Sequence, residues 1–284
     1  MAIDRGSQEQ AAWIASVNEE IIEPELPICD AHHHLWLDGG ATAWPYPVDA
    51  LLADTGAGHN VVATVFLECH THYRSDGPEH LRPVGETEWV AEQAEITEAR
   101  RRAGGRGAVI AGIMGHADLS RGAAVEEVLS AHQEAGGGRF RGVRYITAAD
   151  PHPPLSMGPS AAMDDPDYLA GVRTIGAMGH TYDAMVYHPQ LPELVGVADA
   201  CPDTPIVIDH LGGILGTGPY RDRRDEILAF WRGAMTDLAA RPNTYLKLGG
   251  IGMPMMGYRW DKRDRPATSE ELAEIWAGPI DWAI

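Results

Sequence analysis

The chain has 284 residues, 44% of them hydrophobic, which is enough for one large α/β domain or two ordinary ones with a sizeable core. Its 22 basic and 41 acidic residues give a net charge of −19, which repels phosphate backbones and anionic membrane surfaces and argues against nucleic acid or membrane as partners. No apolar run approaches the roughly 20 residues of a membrane span, and the polar N-terminus lacks the apolar stretch of a secretory signal. Three scattered cysteines (Cys29, Cys69 and Cys201) suit reduced thiols in a cytoplasmic protein better than a disulfide framework.

Residues 8–20 read as a short helix within an N-terminal extension, 1–25, ahead of a main unit spanning 26–284. The first strand, about 26–31, runs into Cys29-Asp30-Ala31-His32-His33-His34-Leu35-Trp36. Side chains alternate along a strand, so Asp30, His32 and His34 share a face, and two imidazoles so spaced can reach one metal ion. A loop rich in Trp, Pro and Tyr follows, then a β-branched strand over 61–69 that ends in His70-Thr71-His72. Glu86 to Arg102 reads as a helix with an acidic start and a basic end, as the helix dipole prefers, and its acidic stretch 86–98 reads as a solvated face. Strands at 108–114, 142–146, 182–187, 205–209 and 244–248 then alternate with helices at 121–135, 167–177, 191–200 and 222–240 and a last one from Ser269, an N-cap candidate.

Seven strand-to-helix units in strict alternation argue a parallel sheet with helices outside it. No Gly-rich phosphate turn follows the first strand, which weakens the dinucleotide-binding version of a doubly wound sheet. Of the thirteen histidines, His32, His34, His70, His116, His188 and His210 fall at or just after the C-terminal ends of predicted strands. In a (β/α)8 barrel those ends form one face, and that face carries the active site. The expected fold is therefore α/β, a (β/α)8 TIM barrel, with no eighth strand legible before the chain stops at Ile284.

Four segments resemble the amidohydrolase superfamily, in particular its amidohydrolase-2 branch of lactonase-like and decarboxylase-like proteins. They are Asp30-Ala31-His32-His33-His34-Leu35-Trp36, Gly142-Val143-Arg144, His188-Pro189-Gln190-Leu191-Pro192-Glu193-Leu194 and Asp209-His210-Leu211-Gly212-Gly213. The resemblance implies His32, His34 and His188 as metal ligands, His188 alternatively as a substrate contact, and His210 as the catalytic histidine near the substrate. The ion would be one zinc or manganese, a metal-free site being the open alternative. The family's carboxylated lysine on strand 4 has no counterpart, since Arg144 stands there. Its strand-8 aspartate, the general base, has none either. Asp209 is a poor substitute, because it neighbours His210 and should face the other side of its strand. Weak hydrolysis is the expectation for such a chain.

Arg144 could clamp a carboxylate or polarise a lactone oxygen, or else pair with an acid inside the mouth. Glu68, Gln190, Lys247 and Trp36 complete the expected substrate contacts, and Trp36, Tyr73 and Trp260 would suit a ring-shaped substrate. The resulting reading is a hydrolase of a small carboxylated or lactone-like substrate. Two alternatives stand beside it: a metal-dependent decarboxylase of an unsaturated or aromatic acid, and a non-catalytic shortened barrel acting as a binding or assembly module. A small-molecule substrate is the expected partner, and a homo-oligomer is compatible with the sequence.

Overall fold

The computed structural model describes residues 8–37, 45–152, 155–158 and 162–284. Seven strands form one parallel sheet in sequential order: β1 (Ile28–His33), β2 (Val61–Leu67), β3 (Val109–His116), β4 (Phe140–Ile146), β5 (Thr181–Met185), β6 (Ile206–Ile208) and β7 (Thr244–Leu246). The helices are α1 (Gln8–Ala15), α2 (Val48–Thr55), α3 (Val84–Arg102), α4 (Val125–Ala135), α5 (Pro166–Ala177), α6 (Leu191–Ala200), the single distorted turn α7 (His210–Gly213), α8 (Arg224–Ala239) and α9 (Ser269–Ala283). Helix α2 lies where the sequence suggested only loop. Helix α9 starts on a reciprocal cap between Thr268 and Glu271, so the cap is Thr268, one residue before the one expected.

The sheet is strongly curled. β1 and β6 are five strands apart, which in a flat sheet would separate them by roughly 24 Å at about 4.8 Å per strand. Yet the rings of His32, on β1, and His210, just after β6, have centroids 4.2 Å apart. The seven strands thus make an open TIM-barrel-like half-barrel lacking one strand. Among the described residues, β1 and β7 each pair on one side only, and beside that gap Tyr245 and Leu248 are 57% and 44% exposed. Residues 8–25 contain no strand. Instead they reach across to the segment before α9: Trp13 Nε1 donates to the Arg263 carbonyl at 2.9 Å, and Glu19 accepts from the Ser269 amide and hydroxyl.

The strands from β4 to β6 and the helices over them build the larger apolar cluster, with Val143, Tyr182, Ile208, Val172, Leu194 and Trp231 inside it. A smaller cluster of Leu35, Leu51, Phe66, Val90, Ile110 and Ile113 sits under α2 and α3. Met255 and Met256, from the loop after β7, are buried packing residues of the larger cluster. No helix among the described residues is long and apolar enough to cross a membrane.

Candidate active site

Curling aims the C-terminal strand ends at one mouth. β1 delivers His32 and His34 there, with Nε2 atoms 3.3 Å apart. His34 Nδ1 lies 2.8 Å from the Leu67 carbonyl and donates to it, so its Nε2 is a bare lone pair. His33 points the other way, is buried, and bonds the Val65 carbonyl at 3.0 Å. His32 Nδ1 lies 3.5 Å from Asp209 Oδ1.

The alternation argument that turned Asp209 away from the mouth is overturned here. Asp209 is the last extended residue, at φ −72° and ψ 143°. The backbone then enters the left-handed region at His210 (φ 53°) and Leu211 (φ 55°), so strict alternation ends and both side chains face the mouth. The turn continues through Gly213 (φ +60°), where a Cβ would lie 2.1 Å from the Val186 carbonyl, so only glycine lets α7 sit this close to the end of β5. Across the mouth Gly250 (φ +69°) rests on the His210 ring, where a Cβ would come within 2.3 Å of Nδ1.

His32, Asp209 and His210 can each offer one ligand atom such that all three lie within 4.8 Å of one another. Asp209 is fully buried, and Lys247 Nζ, 3.1 Å from its Oδ1, is its other charged neighbour. Lys247 also pairs with Asp183 on β5, which makes a chain of four side chains from β5 through β7 and β6 to β1. Burial works against ionising Asp209, but its contact with His32 and the charge of Lys247 outweigh it and hold the carboxyl well below the usual range. Burial pushes Asp183 up to about 7, against the pull of Lys247. Burial also lowers His32 to about 3, so its ring is neutral. A neutral His32 has one N–H for two acceptors, His34 Nε2 and Asp209 Oδ1. Whichever it faces, the other contact sets two lone pairs against each other. That donor set fits a cation.

On the other side of the mouth stands Arg144, on β4. Its Nε donates to Glu68 Oε1 at 2.9 Å, and its Nη2 donates to the Glu68 carbonyl. Both side chains are buried. Arg144 thus takes the second of its two expected readings, an ion pair inside the mouth, and its acid is Glu68, which was expected to meet substrate. Glu68 Oε2 lies 3.5 Å from His70 Nε2. His70, at φ 62°, opens a cavity of about 940 Å³ lined by Tyr73, Arg82, His116, Asp118 and Tyr145 among others. The shape of this loop comes from Glu86, a residue of the stretch read as solvated. Glu86 is 1% exposed, and its Oε1 accepts the amides of Cys69 (2.8 Å) and Thr71 (3.1 Å).

Three expected contacts are placed elsewhere or otherwise engaged. His188 lies outside the close group: its Nδ1 accepts the Leu215 amide at 3.2 Å, and its ring packs against Tyr220. Gln190 ties loops together, accepting from Ala149 and Tyr187 amides and donating to the Thr147 carbonyl. Trp260 stacks on Trp276 of α9, with centroids 5.1 Å apart. Trp36 stays near the site, its ring 5.2 Å from that of His34, and its backbone bridges to Tyr46. The residues that sequence reasoning missed are Asp183, Asp209 and Glu86. An aspartate inside the buried run Tyr182-Asp183-Ala184-Met185 was the available signal, since a charge in a parallel strand must be paired.

Comparison with known proteins agrees with this fold. The family model for Amidohydrolase matches residues 29–279. An L-fucono-1,5-lactonase of Burkholderia multivorans is 29% identical over 234 residues, 78% of this chain and 67% of that protein. An uncharacterized protein of Sinorhizobium fredii is 26% identical over 270 residues, 88% of this chain and 81% of that one. A crystal structure of an amidohydrolase from Burkholderia multivorans with bound zinc superposes with a TM-score of 0.62 at 25% identity, covering 90% of this chain and 78% of that one. The chain belongs to the Amidohydrolase family and is a hydrolase of the amidohydrolase superfamily.

Proposed function

We propose that this protein hydrolyses a small lactone, opening the ring to a hydroxy acid. The observation that carries the reading is the convergence of His32, Asp209 and His210 at the mouth of the half-barrel; the cavity lined by His70, His116 and Tyr145 is not lined by these three and lies on the far side of the Arg144–Glu68 pair, which reaches it through His70. The lactonase relatives support the substrate class. A cytoplasmic setting, as expected from the scattered thiols, belongs to the same reading.

In this reading His210 is the base. Burial keeps its ring neutral at physiological pH, so it can take the proton of a water that attacks the lactone carbonyl. The ionised Asp209 beside it stabilises the imidazolium that forms. The same proton then goes to the ring oxygen as the C–O bond breaks, which leaves His210 neutral again. Gly250 holds the His210 ring in place by leaving it room. The Arg144–Glu68 pair reaches His70 at the cavity rim through Glu68 Oε2. A divalent ion, if bound, would be held by His32, Asp209 and His210, with His34 alongside, and would polarise the carbonyl and acidify water.

The test is a pH-indicator assay with five- and six-membered sugar lactones. The wild type should release acid, and His210→Ala should slow it at least about 100-fold. A folded wild type that opens no lactone, or a His210→Ala variant at full rate, would refute the reading. Release of carbon dioxide from an unsaturated acid would favour the decarboxylase alternative.

A further inference from the structure

Lys247 stands at the end of β7, its amide bonded to the Ile208 carbonyl and its own carbonyl to the Leu211 amide. It is tied on both sides to the segments that carry Asp209 and His210. Its ammonium is 3.1 Å from Asp209 Oδ1, the same oxygen that faces His32 Nδ1 at 3.5 Å. Both Asp209 oxygens are buried, and neither makes a hydrogen bond among the described residues, so the contacts of Oδ1 are those of charge and proximity. One carboxylate is therefore shared between a tethered cation and a group of three side chains able to hold a free one.

We propose that Lys247 is a built-in counter-cation that competes with a divalent metal ion for Asp209. With the lysine in place, the His32–Asp209–His210 group binds metal weakly; with the lysine removed, it binds tightly. An ammonium is a compact point charge that needs only electrostatic contact. A divalent ion needs the oxygen's lone pair and suffers repulsion from a positive charge next to it. Lys247 thus leaves His210 unliganded and available as the base, so this inference rests on the lactonase reading for its use but not for its test.

The charge count makes a clean experiment. Counted formally, Lys247, Asp183 and Asp209 bring one positive and two negative charges. Replacing Lys247 and Asp183 together by neutral residues keeps the net charge at −1, leaves Asp209 as the one carboxylate freed from the lysine, and retains all three proposed ligands. Chelator-treated wild type, Lys247→Met/Asp183→Asn and the triple variant that adds Asp209→Asn are titrated with cobalt(II) chloride. Binding is read by the visible cobalt bands and by calorimetry, and thermal melts confirm folding. The double variant should bind cobalt at least about tenfold more tightly than the wild type, and adding Asp209→Asn should abolish that gain. Lys247→Met alone, if it folds, should bind at least as tightly as the double variant. Equal or weaker binding by the double variant, no binding by any form, or a gain that survives Asp209→Asn would each overturn the proposal. Lactone opening by the wild type, measured beside these titrations, reports on the hydrolase reading separately.

Discussion

Replacing Glu86 by glutamine should flatten the pH dependence of this protein's stability. Glu86 is buried under the loop that carries His70, and burial, reinforced by the charge of Glu68, pushes its carboxyl up to about 8 despite the amides of Cys69 and Thr71. From an ordinary value of 4.5, that shift corresponds to about 5 kcal/mol between the protonated and ionised forms. The sign follows from proton counting. Between about pH 4.5 and 8 the native state keeps a proton that the unfolded chain has released, so stability is full below that window and falls as pH rises through it, by about 1.4 kcal/mol per unit. The amide oxygen of a glutamine in its place can still accept both backbone amides while carrying no charge. Urea denaturation of wild type and Glu86→Gln at several pH values measures the difference. The variant should gain on the wild type by about 3 kcal/mol between pH 5 and 7.5. Parallel stability curves for the two proteins would refute the reasoning and mean that Glu86 is ionised in the folded state without penalty.

Further tests address the other buried groups. Arg144→Met strands the Glu68 carboxylate and should cost about 3–5 kcal/mol in urea denaturation, whereas Arg144→Met with Glu68→Gln should recover most of it. Gly250→Ala places a Cβ within 2.3 Å of His210 Nδ1 at a positive φ. It should lower lactone turnover at least about tenfold by displacing the base, with the stability in urea falling by the cost of the strained φ, about 1–3 kcal/mol. Gln190→Ala removes two hydrogen bonds that join the loops after β4 and β5 and a third within the segment after β5. It should cost about 1–3 kcal/mol by leaving buried backbone groups unpaired, measured in the same urea assay.

How much of this was legible in the sequence follows from the range over which each signal acts. Strand-to-helix alternation is local: β-branched runs such as Val61 to Leu67 and capped amphipathic segments such as Thr268 to Ala283 declare themselves within a few residues. That was enough for seven parallel strands, for their order, and for the placement of His32 and His34 on one face. The missing eighth strand was equally legible as the absence of such a run. The alternation rule also failed locally, at Asp209, because it holds only while the backbone stays extended. The positive φ of His210 and Leu211 ends it, and Gly212-Gly213 was the one written hint.

That Arg144 could pair with an acid inside the mouth was legible, but which acid was not. Arg144 finds Glu68 at a sequence separation of 76, and Lys247 finds Asp183 at a separation of 64. No local pattern encodes such pairings. Sequence alone established which residues carry charge and which end of each strand they occupy. The curl of the sheet decided which of them touch, because only closure toward a barrel turns a row of strand ends into a ring. In a flat sheet His32 and Asp209 would be far apart, and neither a shared proton nor a shared ion could connect them.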